Sequence, residues 1–245
     1  MACFRYLFLC FCDTFLFMEI KHILFDLDNT LYPATSAMDK GITTRMYECI
    51  MDFFGISLEE AIELRKEKIV HFSTTLEWLR NEGMNGIEGF LHHVHPESEA
   101  DELTVDLNLR DFLIDLQKSY SMSILTNGPI EHASRVLNKL GIQDLFPLIT
   151  DIRDCNFVGK PYASSYLSAL KKANADLETT VFVDDLTKYT DGFQALGGTA
   201  ILVGDKNGKP LSSDAKPLAD KSKYDLGRTV KLDNIYNLRN LLERL

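Results

Sequence analysis

The sequence predicts an α/β fold, a doubly wound parallel sheet with a helical cap inserted after its first strand. Three observations predict it. Short apolar runs alternate along the chain with helix-period segments. The runs are apolar on both faces, which suits strands of a parallel sheet covered by helices on two sides. Roughly ninety helix-like residues separate the first run from the second, whereas a plain crossover needs only about a dozen.

The strands are expected at 22–25, 122–125, 148–150, 181–183, 200–203 and 229–232, each bounded by turn signals. Helices are expected near 131–140, 162–174, 188–196 and 235–244. Gly141 stands where a helix C-terminus favours positive φ, and Pro161 where a helix begins. Strand–helix alternation implies right-handed βαβ units. In the long insert, helical patterns cover 39–54, 58–71, 75–81 and 86–93. The expected layout is therefore a Rossmann-like catalytic core from 18–33 and 107–245, with a helical cap at 34–106 over the carboxyl ends of the strands, where open α/β sheets bind ligands. The polar stretch 204–228 reads as a surface loop before the last strand.

Composition narrows the partners. The 245 residues carry a formal net charge of −10, with 45% hydrophobic and 25% charged residues. Such an acidic surface repels polyphosphate backbones, so a nucleic-acid polymer is not an expected ligand. The five cysteines form neither a disulfide framework nor a zinc-ligand pattern, which favours a reducing, cytoplasmic setting. Residues 1–17 are apolar but interrupted by Asp13, without a small-residue cleavage site. They are also too short for a membrane span of about 20 residues. Met18, opening MEIKHILFDLD, reads as the natural start, with 1–17 a gene-model extension or loose tail.

Four polar clusters fall at strand ends or helix starts. Asp26-Leu27-Asp28 follows the apolar HILF directly, and residues i and i+2 of a strand share a side. Two carboxylates there repel each other and are costly to desolvate unless they share a cation, a role that suits Mg²⁺. The structural alternative is a turn or a helix cap. Thr126-Asn127-Gly128 ends the second strand, offering a hydroxyl and a close backbone approach, or simply an Asn-Gly turn. Lys160, in Gly159-Lys160-Pro161, stands at an expected helix start, where the helix dipole makes a cation want an anion. A solvated surface lysine is the alternative. Asp184 and Asp185 end another buried strand, as a second half of a metal site or as an N-cap.

Taken together, FDLDNTLYP, ILTNG, GKP and VFVDD resemble the four motifs of the haloacid dehalogenase (HAD) superfamily, in order from about residue 20 to 203, with an insert like its C1-type cap. The resemblance implies a phosphotransferase with Asp26 as nucleophile, forming an aspartyl-phosphate. It implies Asp28 as acid and then base, and Thr126 and Lys160 as holders of phosphoryl oxygens. Mg²⁺ would be bound by Asp26, the Asp28 carbonyl, Asp184 and Asp185, with Asp185 the more direct ligand of the last pair. An acid at Asp28 also argues against the dehalogenase branch. Related chains carry Ser and Asn where Leu186 and Tyr189 stand here, which alters the surroundings of the metal site.

FDLDNTLYP, the segment Ser73-Thr74-Thr75-Leu76, the Val94-His95 pair and TNGPIEHASRVLNKLGI look like the pyrimidine 5′-nucleotidase-like branch. That implies a small phosphomonoester substrate such as UMP or CMP, with Asn127 and His95 near it, and a monomer or small homo-oligomer free of membrane. A sugar-phosphate or phosphoglycolate phosphatase, and a catalytically silent binding protein on the same fold, are the alternatives. His92, His93 and His95 invite a metal reading but lack an evident fourth ligand. Trp78 and Phe90 read as cap core.

Overall fold

The computed structural model describes residues 19–33, 37–204 and 228–245. The segment 1–17 with its proposed start at Met18, and all but the ends of the loop at 204–228, lie outside them. Among the described residues, no helix is long and apolar enough to cross a membrane.

Six parallel strands form one sheet in the order β3-β2-β1-β4-β5-β6. They are β1 His22–Phe25, β2 Ser121–Leu125, β3 Ile149–Thr150, β4 Thr180–Asp184, β5 Thr199–Val203 and β6 Arg228–Leu232. The chain moves outward from β1 in both directions, so β1 sits at the switch point, flanked by β2 and β4. Their register is level: Phe25 pairs with Ile124 on one side and Val183 on the other. The polar residues that follow all three strands therefore emerge side by side. Sequence patterning placed every one of these strands to within two residues, because the central ones, β1 and β4, are buried along their whole length and the others carry short apolar runs.

Alternation along the strands supplies two cores. Ile23, Phe25, Val181 and Val183 face one side, and Leu24, Phe182 and Ala200 the other. Helices α5 (Leu107–Gln117), α6 (Ile130–Lys139) and α9 (Leu238–Leu242) cover the first face, while α7 (Ala163–Ala173) and α8 (Thr187–Ala195) cover the second. Each fully buried Leu, Ile or Phe contributes about 1.5–3 kcal/mol.

Between β1 and α5 lie α1 (Ala37–Phe54), α2 (Leu58–Lys68), α3 (Thr75–Asn81), α4 (Ile87–Val94) and a 3₁₀ turn at Glu99–Glu102. These helices build a third cluster around Trp78, Leu79 and Ile50, joined by Ile152 from the sheet side. Trp78 is fully buried and stacks on Phe54 at 5.5 Å, as its reading as core required. The local start signals are explicit. Ser57 and Glu60 form a reciprocal capping box at α2, and the Thr74 hydroxyl caps α3.

Several sequence expectations need correction. Helix α2 ends at Lys68 rather than 71, because the Ile69 and Phe72 carbonyls turn aside to accept from Lys188 Nζ at 3.0 and 2.8 Å. Pro161 does not open α7. It follows a cis peptide after Lys160, and the helix begins at Ala163. The last helix starts as a 3₁₀ turn, Ile235–Asn237, capped by Asn234. Helix α5 escaped the sequence reading, although Asp106 caps it and Leu109, Leu113 and Leu116 mark its buried stripe. Gly141, at φ +70, ends α6 as expected.

Candidate active site

The site is built where β2, β1 and β4 end. After β1 the chain must turn sharply, and Asn29 allows it with φ +65, a conformation Asn tolerates better than most residues. Backbone bonds from Thr30 and Leu31 to the Leu27 carbonyl close the turn. Asp26 is held by its own N–H, which donates to Val183 O at 2.8 Å, and by the Thr30 hydroxyl, which donates to Oδ2 at 3.1 Å.

Asp26, Asp184 and Asp185 converge, with one oxygen from each lying within 4.8 Å of the other two. Lys160 enters from the loop after β3, with its side chain fully buried. Its Nζ donates to Asp26 Oδ1 and, at 2.7 Å, to Asp184 Oδ2. The rings of Tyr189 and Phe182 stand 4.8 and 5.4 Å from the ammonium. So Lys160 is neither a surface lysine nor a helix-start lysine but a buried counter-ion. Asp184 serves two ends: Oδ1 accepts from Leu186 N–H, which steadies the entry to α8, while Oδ2 meets the lysine.

Three buried carboxylates against one ammonium leave negative charge uncompensated. Burial pushes Asp26 up to about 7 despite Lys160. Burial, followed by repulsion from Asp184 and Asp26, pushes Asp185 up to about 9. Burial raises Asp184 too. Asp185 Oδ2 is buried without a hydrogen-bond partner. An orphaned carboxylate oxygen beside two further carboxylates fits a hard divalent cation taking oxygen ligands. The donor set therefore fits Mg²⁺.

Asp28 parts company with Asp26. Its carboxylate is not among the three that converge. Oδ1 instead accepts from His132 Nε2 at 2.7 Å and from the Tyr32 hydroxyl. Oδ2 receives only a long 3.4 Å contact from Thr126 Oγ1. Burial alone would raise this carboxyl, but the His132 cation and the bonds from His132 and Tyr32 outweigh it and hold it at about 2. The Thr126 hydroxyl also accepts from Gly128 N–H at 2.9 Å, shaping the turn after β2.

The Asn127 amide turns toward protein groups. Oδ1 accepts from Lys160 N–H at 2.8 Å, and Nδ2 donates to Lys160 O and to the Tyr189 hydroxyl at 3.1 and 3.2 Å. Its polar atoms are spent on bracing the lysine loop. Tyr189, at the position where related chains carry Asn, completes that brace. His95 reaches Asp28 only indirectly, through Glu99 at 3.0 Å and a ring contact with His132 at 4.4 Å. His92 and His93 do not join it, and His93 pairs with Glu48. Sequence reasoning missed His132. Its one signal was a histidine on the buried stripe of α6, among Ala133, Val136 and Leu137.

A protein-family model described as "Hydrolase: haloacid dehalogenase-like hydrolase" matches residues 20–197. The solved HAD phosphatase from Thermococcus onnurineus is similar with a TM-score of 0.59 at 22% identity, covering 91% of this chain and 98% of that one. A 2-haloacid dehalogenase from Pseudomonas syringae pv. Tomato DC3000 gives 0.55 at 22% identity, with 92% and 99% covered. The HAD-hydrolase YfnB from Bacillus subtilis, solved bound to magnesium, gives 0.55 at 14%, again with 92% and 99% covered. At these identities the likeness speaks to the fold.

Proposed function

The chain belongs to the haloacid dehalogenase-like hydrolase family, and on that premise we propose that it is a Mg²⁺-dependent phosphomonoester hydrolase working through an aspartyl-phosphate on Asp26. The observation that carries this reading is the meeting of Asp26, Asp184 and Asp185 within 4.8 Å around the buried Lys160 ammonium. An Asp26 oxygen would attack phosphorus as the ester P–O bond breaks, and Asp28 would give the departing oxygen its proton. In the second step Asp28 takes a proton from water, the water oxygen attacks phosphorus, and the bond to Asp26 breaks to release inorganic phosphate. An arriving phosphoryl dianion beside Asp28 raises the cost of its charge, which favours the protonated form the first step needs. Lys160 and Thr126 would hold the equatorial oxygens as charge develops. Asp26, Asp184, Asp185 and the Asp28 carbonyl would hold Mg²⁺, which supplies charge neutralisation at the phosphoryl oxygens.

Asp28 also separates this reading from dehalogenation. A halide leaves without a proton, whereas an alkoxide does not, so a carboxyl presented at the leaving-group position has work only in ester hydrolysis. We assign the helical insert at 34–106 as the cap, and pyrimidine nucleoside monophosphates as the preferred substrates, on the sequence resemblance around Ser73–Leu76 and Val94-His95. Activity should be measured on UMP, CMP, phosphoglycolate and hexose phosphates at subsaturating concentration, with Mg²⁺ and with chelator. The expected result is Mg²⁺-dependent phosphate release, fastest on UMP and CMP. Comparable turnover of all three classes would remove the nucleotide preference, and no Mg²⁺-dependent release from any would remove the hydrolase reading.

A further inference from the structure

Outside the carboxylate–lysine cluster, the most developed polar assembly is a buried chain running from Asp28 into the inserted segment. His132 Nε2 lies 2.7 Å from Asp28 Oδ1, and His132 Nδ1 lies 2.9 Å from Glu99 Oε1. The second approach is too oblique for a directed hydrogen bond and acts as an ion pair. Glu99, from the 3₁₀ turn that closes the insert, also accepts from Arg135 Nη2 at 2.7 Å and Nε at 3.2 Å, and from His95 Nδ1 at 3.0 Å. Arg135 Nη2 further donates to the His95 carbonyl at 2.8 Å. The side chains of His132 and Glu99 are fully buried.

A buried imidazole between two carboxylates is a cation, and burial is outweighed by Asp28 and Glu99 so that His132 is pushed up to about 10. The assembly then closes on charge: Asp28 and Glu99 against His132 and Arg135, with His95 neutral because burial and the His132 cation lower it. This balance argues against a metal at His95, Glu99 and His132, although their donor atoms cluster. Arg135 already supplies the positive charge that a metal would bring.

The consequence for Asp28 is directional. Oδ1 is fixed by two donors, His132 and Tyr32, so the carboxyl has one orientation and Oδ2 is left with only the 3.4 Å contact from Thr126 Oγ1. The Asp28 side chain keeps 31% exposure, while that of His132 keeps none. We propose that His132 is a positioning residue that aims Asp28 Oδ2 at the leaving oxygen and, through Glu99, ties that aim to the inserted helical segment. This rests on the phosphomonoester reading above.

A residue that only supports the fold lowers activity on all substrates alike. One that aims an acid matters most where the leaving group needs a proton. The test compares kcat/KM, which covers the first phosphoryl transfer, for an alkyl phosphate and for p-nitrophenyl phosphate, whose leaving group departs without help. His132→Leu is expected to lose about 10²-fold more on the alkyl ester than on the aryl ester. His132→Gln, which keeps a donor near Nε2, is expected to recover most of the difference. Glu99→Gln, which keeps the size of the side chain, should shift the ratio in the same direction, and it serves if His132→Leu does not fold. Equal losses on both esters in the soluble His132 and Glu99 variants would overturn the proposal. Asp28→Asn separates it from the parent reading. If that variant shows no leaving-group dependence, the acid role of Asp28 fails and this proposal with it. If Asp28→Asn shows it and the His132 variants do not, only this proposal fails.

Discussion

Asp26→Asn is expected to abolish Mg²⁺-dependent hydrolysis of p-nitrophenyl phosphate, lowering kcat by about 10⁴-fold or more, as loss of a covalent nucleophile does. The substitution keeps size and position. An amide oxygen can still accept from Lys160, and the backbone N–H still meets Val183. What it removes is the negative oxygen that attacks phosphorus. Stability should fall little and even rise without metal, because a carboxylate pushed up to about 7 by burial and its acidic neighbours is replaced by a neutral group. An inactive variant that melts at or above the wild-type temperature in chelator is therefore the expected pair of results. Retained Mg²⁺-dependent turnover would rule out the covalent route.

Lys160→Met carries the second large effect, on both stability and rate. The ammonium is fully buried and hydrogen-bonded to Asp26 and Asp184, so its removal strands two carboxylates beside a third. Breaking a buried pair in this way costs about 3–5 kcal/mol, or about 6–20 °C in melting temperature for a domain of this size. The cost should be largest in chelator above neutral pH. It should shrink with added Mg²⁺, which replaces part of the lost positive charge. It should also shrink as pH falls from about 8 to 5. A carboxyl whose pKa is raised in the fold takes up its proton there before it does in the unfolded chain, so lowering the pH favours the folded state. Turnover should fall by about 10²–10³-fold, the usual loss of a charged donor to a transferring group. A variant that melts like the wild type with and without chelator would show that Lys160 does not neutralise these acids.

How much of this was legible in the sequence follows from which interactions are local. Strands β1, β2 and β4 announce themselves because they are apolar on both faces, and the polar residue that ends each run marks the crevice. Asp26, Thr126 and Asp184 could therefore be placed without knowing any partner. Lys160 was legible as a motif but not as a buried cation. Its loop is held by Asn127 and Tyr189, 33 and 29 residues away in sequence, and not by helix-start geometry. Tyr189 read as a departure from the family pattern, yet its hydroxyl and ring fill a bracing role that is visible only once α8 is packed. His132 and Glu99 were silent for the same reason. Each looks like an ordinary residue of its own element, and their meaning depends on Asp28 lying 104 positions from His132 along the chain.

The central claim is that carboxylates from two strands share one divalent cation. Mn²⁺, which takes the same oxygen ligands as Mg²⁺ and is visible by electron paramagnetic resonance, tests it most directly in a titration of wild-type protein and Asp185→Asn. One saturable site per chain in the wild type, competed by Mg²⁺ and weakened at least about tenfold in the variant, is the predicted result. Equal binding by both proteins, or no saturable site in the wild type, would contradict it.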